Sequence, residues 1–156
     1  MFKPSIHFAA TLWAAAGSAF ATPADDARTH FQAIASGDVQ IVMRAYADQA
    51  QLNWIGGPLD GTYASTDAIR ATWDKFAKAA GPLKLTVGQL DESANPKGAT
   101  VSAKVMFEGK APIKVRYVLT FRDGKIVNET WQIDPKLVVG AVATAPAAAM
   151  AQSATY

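Results

Sequence analysis

The pattern of apolar and polar positions divides the chain into a helical first half and an extended second half. Apolar positions that recur at i, i+3, i+4 and i+7 predict an amphipathic first helix. Thr22 followed by Pro23 is typical of a helix start, and Gly37 is typical of a helix end. The face predicted to be buried is formed by Ala27, His30, Phe31 and Ile34.

Two further helices are predicted before the extended region begins. Asp38 can cap a short second helix directly after the first. The third helix begins at Ser65 or Thr66 and ends at Gly81-Pro82. The buried stripe of the second helix is predicted to be Val39, Val42, Met43 and Tyr46, and that of the third Ile69, Trp73, Phe76 and Ala80.

The remaining pattern alternates as in β-strands. Residues 51–55 and 59–63 predict two short strands around a Gly-Gly-Pro turn. Residues 83–134 predict four strands, separated by turns at residues 95–98, 108–110 and 123–124. Tight turns make these four strands an antiparallel meander, and the helices must cover one of its faces, so the predicted fold class is α+β.

Glu129 interrupts the apolar pattern of the last predicted strand. It lies in register with Val127, Trp131 and Ile133, so its side chain points to the same face as theirs. A carboxylate in that place is costly unless a charged or hydrogen-bonding group, or water, meets it. The sequence leaves two interpretations open, a strand-end residue that leans into solvent and part of a pocket wall.

The first residues have the pattern of a secretory signal. Lys3 precedes an apolar run over residues 6–16, and Ala19-Phe20-Ala21 fits a signal-peptidase site. The run is shorter than the roughly 20 apolar residues that span a bilayer. Residues 1–21 therefore predict export with cleavage, a periplasmic or secreted location and no stable membrane insertion afterwards, the alternative being a retained anchor.

The rest of the chain divides into one domain and a tail. Residues 22–135 have the size of one ordinary domain. Residues 136–156 are rich in alanine and small polar residues and predict a flexible tail. The alternative for this tail is a partner-binding or swapped segment.

Composition excludes several classes of function. The chain has no cysteine, which removes disulfides and thiolate chemistry. After removal of residues 1–21, His30 is the only histidine, so no zinc-like cluster can form, and no metal or cofactor is predicted. The net charge of +2 is not concentrated in a basic stripe, so nucleic acid is not a predicted partner.

Three stretches together resemble the nuclear transport factor 2-like (NTF2-like) superfamily, and within it the SnoaL-like, polyketide cyclase-like small domains. Residues 31–48 resemble its opening helix pair with a Gly-Asp corner, and residues 56–73 its hairpin that leads into a third helix. Residues 121–131 resemble its final hairpin, so the likeness covers about residues 24–134.

The resemblance implies a cone in which a strongly curved, mainly antiparallel sheet wraps around three N-terminal helices, with an apolar pocket at its open end. Members include isomerases, cyclases, dehydratases, epoxide hydrolases and proteins without catalysis, so the fold does not settle the function. Members commonly pair through the outer face of the sheet, which implies a homodimer. In the ketosteroid isomerase branch an aspartate base precedes the third helix, but Gly56 stands at that place here, and Asp60 nearby fits a turn equally well.

In such a cone, Glu129 and His30 would face the same space. A carboxylate that orients an imidazole is a hypothesis for acid-base catalysis, because desolvation raises the pKa of a carboxyl group towards a useful range. The alternatives are a glutamate at the rim or paired with a basic side chain, and a histidine satisfied within the core. The residues predicted to line a ligand pocket, and otherwise to form core, are Trp54, Tyr63, Trp73, Phe107, Tyr117 and Trp131.

Three functions follow as alternatives. The first is an exported domain that binds a small apolar or aromatic molecule in the cone pocket. The second is an acid-base isomerase, cyclase or dehydratase that uses Glu129 and His30. The third is a non-catalytic dimerisation or interaction module whose pocket is closed by its own side chains.

Overall fold

A computed structural model describes residues 21–140, so most of the predicted signal segment and of the predicted tail lies outside the described residues. In chain order the elements are α1 (Pro23–Ser36), α2 (Val39–Arg44), β1 (Tyr46–Ile55), β2 (Gly61–Tyr63), α3 (Thr66–Ala80), β3 (Lys84–Asn95), β4 (Gly98–Glu108), β5 (Pro112–Arg122) and β6 (Lys125–Ile133). Over this part of the chain, no helix has the length and apolar character needed to cross a membrane.

Helices α1 and α3 begin and end where local chemistry predicts. Thr22 Oγ1 accepts a hydrogen bond from the Asp25 amide at 3.2 Å, and the Thr22 amide donates to the Asp25 carboxylate at 3.1 Å. This reciprocal pair satisfies two amides that the helix itself leaves without partners. Gly37 ends α1 with a φ of +74°, and Ser65 caps α3, as predicted.

The six strands form one sheet in the order β2-β1-β6-β5-β4-β3. Strands β1 and β6 run parallel, and every other neighbouring pair is antiparallel. Register shifts interrupt the pairing of β3 with β4 and of β5 with β6, and such bulges bend a sheet. The three helices lie in the concave face, so the predicted α+β cone with a mainly antiparallel sheet is confirmed.

Tyr46 was predicted wrongly as part of the second helix. Helix α2 ends at Arg44, and Tyr46 opens β1, where it pairs with Ile126 of β6. The amide of Ile126 also donates to the carbonyl of Ala45 at 2.8 Å. A parallel neighbour that is distant in sequence therefore decides the conformation of these residues, which local spacing cannot reveal.

The connection between β1 and β2 is a turn that shortens the second predicted strand to Gly61–Tyr63. Asp60 accepts a hydrogen bond from the Gly56 amide at 2.6 Å, which confirms the turn interpretation of this aspartate. Gly56 and Gly57 have φ values of +95° and +73°, a region that residues with a Cβ adopt only with strain.

Residues 134–140 form a strap that crosses the outer, convex face of the sheet. Asp134 pairs with Arg116 on the outer face of β5 at 2.7 Å. Further along, Leu137 is only 2% exposed, and a Cβ on Gly88 of β3 would lie 2.9 Å from the carbonyl oxygen of Gly140. The beginning of the predicted tail is therefore anchored to the sheet, and residues 141–156 lie outside the described part.

Candidate functional site

Glu129 lies inside the cone. It pairs with Leu119 on β5 and with Leu52 on β1, both of which point into the core. Its side chain is 0% exposed. Of the two interpretations that the sequence leaves open, the one in which Glu129 leans into solvent is therefore wrong.

Hydrogen bonds join Glu129 directly to His30 and Tyr46, and through Tyr46 to Trp73. His30 of α1 places Nε2 at 3.0 Å from Glu129 Oε2. The hydroxyl of Tyr46 on β1 donates a hydrogen bond to the same oxygen. Trp73 of α3 donates its indole N–H to the Tyr46 hydroxyl at 2.8 Å. These hydrogen bonds form a network that runs from Trp73 through Tyr46 and Glu129 to His30.

Three polar atoms in or beside this hydrogen-bond network have no hydrogen-bond partner among the described residues: His30 Nδ1, Glu129 Oε1 and the Tyr117 hydroxyl. When Glu129 is ionised, His30 must donate from Nε2, because a carboxylate only accepts. In the neutral imidazole, Nδ1 then carries the lone pair. This arrangement is the one that a general base requires, in which a carboxylate fixes the tautomer of a histidine.

The two tyrosines of the site remain protonated in the folded protein. Burial raises the pKa of Tyr46 well above its usual value, and the negative charge of Glu129 raises it further. Burial and then the charge of Glu129 likewise hold the pKa of Tyr117 well above its usual value. Both phenols therefore keep their protons, and that of Tyr46 donates to the Glu129 carboxylate.

Aromatic side chains fill the cone between Glu129 and its open end. Trp131 stacks on Trp54 with ring centroids 4.4 Å apart and on Phe107 at 5.2 Å. Trp73 and Tyr117 meet Trp131 edge-on at 5.6 Å and 5.3 Å. These five residues, which we call the aromatic cluster, are each at most 3% exposed. The five side chains contact one another, and of them Trp54 also lines an open cleft.

Tyr63 is the predicted ligand-binding residue that does not join the aromatic cluster. It lies half-buried on β2 at the edge of the sheet, and its hydroxyl donates to the Leu59 carbonyl at 2.8 Å. This contact stabilises the turn before β2. A role for Tyr63 in ligand binding stays a prediction.

An open cleft of about 450 Å³ lies at the wide end of the cone, between α3 and the ends of β1, β5 and β6. Trp54 connects it to the aromatic cluster, and Lys75 alone carries a charge among the described residues that line it. The lining residues are Trp54, Pro58, Leu59, Lys75, Phe76, Ala79, Pro112, Ile113 and Ile133.

Sequence reasoning missed Tyr46 as a partner of Glu129 and most of the residues that line the cleft. Tyr46 would have been found if the parallel pairing of β1 with β6 had been recognised, since that pairing brings the start of β1 beside the start of β6. The cleft residues belong to four separate segments that local patterns do not connect. Ile113 and Ile133 carried a usable signal, because both fall in the apolar register of their strands.

Comparisons with known proteins agree with this architecture. The sequence profile of the SnoaL-like domain matches residues 27–129. No curated protein matches the sequence significantly.

Solved structures with low sequence identity share the fold. An NTF2-like protein from Pseudomonas putida KT2440 has 18% identity and a TM-score of 0.60, over 69% of this chain and 80% of that one. A protein with a cystatin-like fold from Nostoc punctiforme has 13% identity and a TM-score of 0.61, over 72% and 89%. An NTF2-like protein from Burkholderia xenovorans has 19% identity and a TM-score of 0.55, over 74% and 86%.

Proposed function

Because the chain belongs to the SnoaL-like domain family, whose fold alone does not define an activity, we propose that it binds a small apolar or aromatic molecule at the open end of the cone. The observation that carries this proposal is the open cleft of about 450 Å³. Clefts that hold small molecules typically have volumes of about 300–1,000 Å³ and mostly apolar walls.

The chemistry of the cleft supports an apolar ligand. Phe76 and Trp54 offer aromatic surfaces, and Ile113 and Ile133 offer aliphatic ones. Removing apolar surface from water contributes about 25 cal/mol per Å², so a ligand of modest size gains affinity without many polar contacts. The cleft is preferred to the space beside Glu129 because the aromatic cluster fills the interior.

Filling the cleft tests the proposal. Ala79 lies exposed on α3 and lines the cleft, so Ala79→Trp places an indole where the ligand would lie. Ala71→Trp is the matched control, because Ala71 is exposed on the same helix but does not line the cleft. The measurements are native mass spectrometry of the purified protein for a bound molecule, and calorimetric titration with neutral and charged aromatic probes.

We expect Ala79→Trp to weaken binding at least tenfold and Ala71→Trp to leave it unchanged. Equal affinities in the two variants would contradict binding in the cleft. The absence of both a co-purifying molecule and any probe affinity would contradict the proposal as a whole.

A second candidate function is acid-base catalysis, favoured by the hydrogen bond between His30 and Glu129. In this function, Glu129 would hold the imidazole and His30 Nδ1 would remove a proton from the substrate, as in an isomerase, cyclase or dehydratase. Both side chains are 0% exposed. A substrate must therefore displace part of the aromatic cluster to reach them.

Proton exchange into a bound ligand tests this second function. Nuclear magnetic resonance in D₂O would follow deuterium incorporation at an acidic C–H position of a ligand that the protein binds. Glu129→Gln and His30→Phe should each abolish the protein-dependent exchange while leaving binding in the cleft measurable. Exchange that persists in both variants, or that is absent from the parent protein, would contradict catalysis by this pair.

We also propose export with cleavage after Ala21. The helix cap supports this proposal, since Thr22, the residue after the predicted cleavage site, is the N-cap of α1. A domain that starts at this residue keeps its first helix and the hydrogen bonds at its N-terminus.

A homodimer through the outer face of the sheet is the partner that we propose. Val118 of β5 is a large apolar side chain that is 40% exposed. It lies on the outer face, because its neighbours Tyr117 and Leu119 point into the core. A second copy would meet this face beside the strap of residues 134–140.

A further inference from the structure

We infer that the molecule bound in the cleft is an apolar carboxylate, whose hydrocarbon body lies between Phe76 and Ile133 and whose carboxylate pairs with Lys75. This inference rests on the proposed function and specifies the ligand class of the same cleft. It follows from the charge of the lining side chains, because Lys75 is the one charged residue among the otherwise apolar walls that the structure describes.

Lys75 gives the cleft its charge. Its side chain is exposed on α3 at the edge of the cleft, and no carboxylate belongs to the lining residues. No salt bridge involves Lys75 among residues 21–140. A lysine can lay its methylene stem along apolar surface and keep its ammonium group at the edge, where it attracts an anion.

Trp54 adds aromatic surface to the cleft rather than a second polar group. Its indole Nε1 has no hydrogen-bond partner within the described part of the chain, but that atom is buried and therefore closed to a ligand in the open cleft.

Of the described residues, Lys75 is the one with a charged side chain that lines the cleft. The remaining lining side chains are those of tryptophan, alanine, proline, leucine, isoleucine and phenylalanine. A ligand with one negative charge complements this lining, and a cationic ligand is repelled by it. A single lysine among apolar walls suits a singly charged carboxylate better than a phosphate group, which carries a charge of about −1.5 to −2 at pH 7.

Two probes with the same shape distinguish the contribution of ligand charge to the affinity from that of ligand size. Naphthalene-2-acetate and its neutral amide, naphthalene-2-acetamide, would each be titrated calorimetrically into the full-length protein. We expect the acid to bind about two- to fivefold more tightly than the amide, because an ion pair with an exposed ammonium contributes no more than about 1 kcal/mol. The preference should decrease as the salt concentration increases, because salt screens the ammonium at the edge of the cleft.

Substitutions of two lysines provide the control. Lys75→Met keeps the length of the side chain and removes its charge, so the preference for the acid should disappear while the affinity for the amide remains. Lys75→Arg should restore the preference. Lys78→Met changes an exposed lysine of the same helix that does not line the cleft, and it should leave both affinities unchanged.

The outcomes distinguish a failure of this inference from a failure of the proposed function on which it rests. If acid and amide bind equally to the parent protein, or if Lys75→Met keeps the preference, the ligand class is wrong although binding in the cleft stands. The same conclusion follows if only other neutral aromatic probes bind and Ala79→Trp blocks them. If no probe binds to the parent protein and no molecule co-purifies with it, the proposed function itself fails.

Discussion

At the scale of single residues, Glu129 is notable as an acidic side chain that is 0% exposed. A carboxylate that is fully removed from water loses hydration worth several kcal/mol. Two donors, His30 Nε2 and the Tyr46 hydroxyl, replace part of that hydration at one oxygen. Each donor is itself buried, so the three groups depend on one another.

Removing the carboxylate should therefore destabilise the protein. Glu129→Leu leaves both donors without an acceptor, and we expect the free energy of unfolding to fall by about 3–5 kcal/mol. Glu129→Gln keeps one acceptor oxygen and should cost about 1–3 kcal/mol. Urea denaturation followed by far-ultraviolet circular dichroism measures both changes.

Glu108 provides the matched surface control. It lies 3.9 Å from Lys84, and its side chain is 37% exposed. Because exposed ion pairs contribute little, Glu108→Gln should change the free energy of unfolding by no more than about 0.5 kcal/mol. A Glu129→Leu variant as stable as the Glu108→Gln variant would show that the buried donors find other acceptors.

The two buried tyrosines should make the protein sensitive to alkali. The pKa values of Tyr46 and Tyr117 are raised in the folded state, so folding favours their protonated forms. This contribution to stability is complete below the unfolded-state pKa of about 10 and is lost as pH rises towards the higher folded-state values. Each tyrosine should lower the free energy of unfolding by about 1.4 kcal/mol per pH unit in that range.

Urea denaturation between pH 9 and pH 11 measures this slope. Tyr117→Phe removes one of the two titrating phenols and should remove the contribution of that residue from the slope. A slope that is identical in the parent protein and in Tyr117→Phe would show that Tyr117 does not titrate differently in the folded and unfolded states.

At the scale of elements, the strap of residues 134–140 is held by a few identifiable contacts. Leu137 is 2% exposed and the adjacent Val138 is 81% exposed. We therefore expect Leu137→Ala to release the strap, because the loss of a buried leucine side chain typically costs about 2–5 kcal/mol. Val138→Ala should leave the strap in place.

Limited trypsin digestion at Lys136 measures the release, since cleavage follows the population of the open strap. Cleavage at Lys136 should be several-fold faster in Leu137→Ala than in the parent protein or in Val138→Ala. Equal rates in the two variants would mean that Leu137 does not anchor the strap.

The elements that the sequence predicts well are those whose boundaries depend on adjacent residues. Thr22, Gly37, Ser65 and Gly81 mark helix ends through their own side chains or backbone, and the hairpin turns of the meander do so as well. The start of β1 at Tyr46 and the parallel pairing with β6 depend on contacts between distant segments. Such contacts leave no local pattern in a single sequence.

The residues of the candidate site fall into the same two groups, those that local sequence patterns reveal and those that depend on distant contacts. His30 and Glu129 could be placed together, because each interrupts the apolar face of an element that the fold turns inward. Tyr46 as a partner of Glu129 could not be predicted, because the strand that presents it was not recognised at that residue. An apolar pocket at the open end was expected from the family resemblance, but most residues that line it were missed, because its walls are strand ends, a turn and one side of α3. The arrangement of these segments depends on the curvature of the sheet.

At the scale of the whole molecule, the oligomeric state tests the use of the outer face. Val118→Lys places a charge on that face, and Ile41→Lys places one on α2 at an equally exposed position, 41% against 40%. Sedimentation equilibrium should show a dimer for the parent protein and for Ile41→Lys, and a monomer for Val118→Lys. A monomeric parent protein, or a dimer in both variants, would contradict the proposed interface.

The proposed export predicts the N-terminal residue of the mature protein. Expression of the full chain in a bacterial host with a periplasm should yield a product whose N-terminal residue is Thr22, because cleavage after Ala21 leaves the capped helix complete. Intact-mass measurement of the periplasmic fraction identifies this product. A product that retains residues 1–21 and remains in the cytoplasm would contradict the predicted signal.

The stacking of Trp131 on Trp54 has an optical consequence. The two indoles lie 4.4 Å apart and are inclined by only 21°, and Trp73, the third tryptophan of the described residues, touches both. Transitions of chromophores held so rigidly couple with one another, and the near-ultraviolet circular dichroism that results vanishes when fixed side-chain packing is lost. Since Trp54 also borders the cleft, the protein contains a chiral chromophore that needs no added label and that would respond both to melting of the core and to occupation of its entrance.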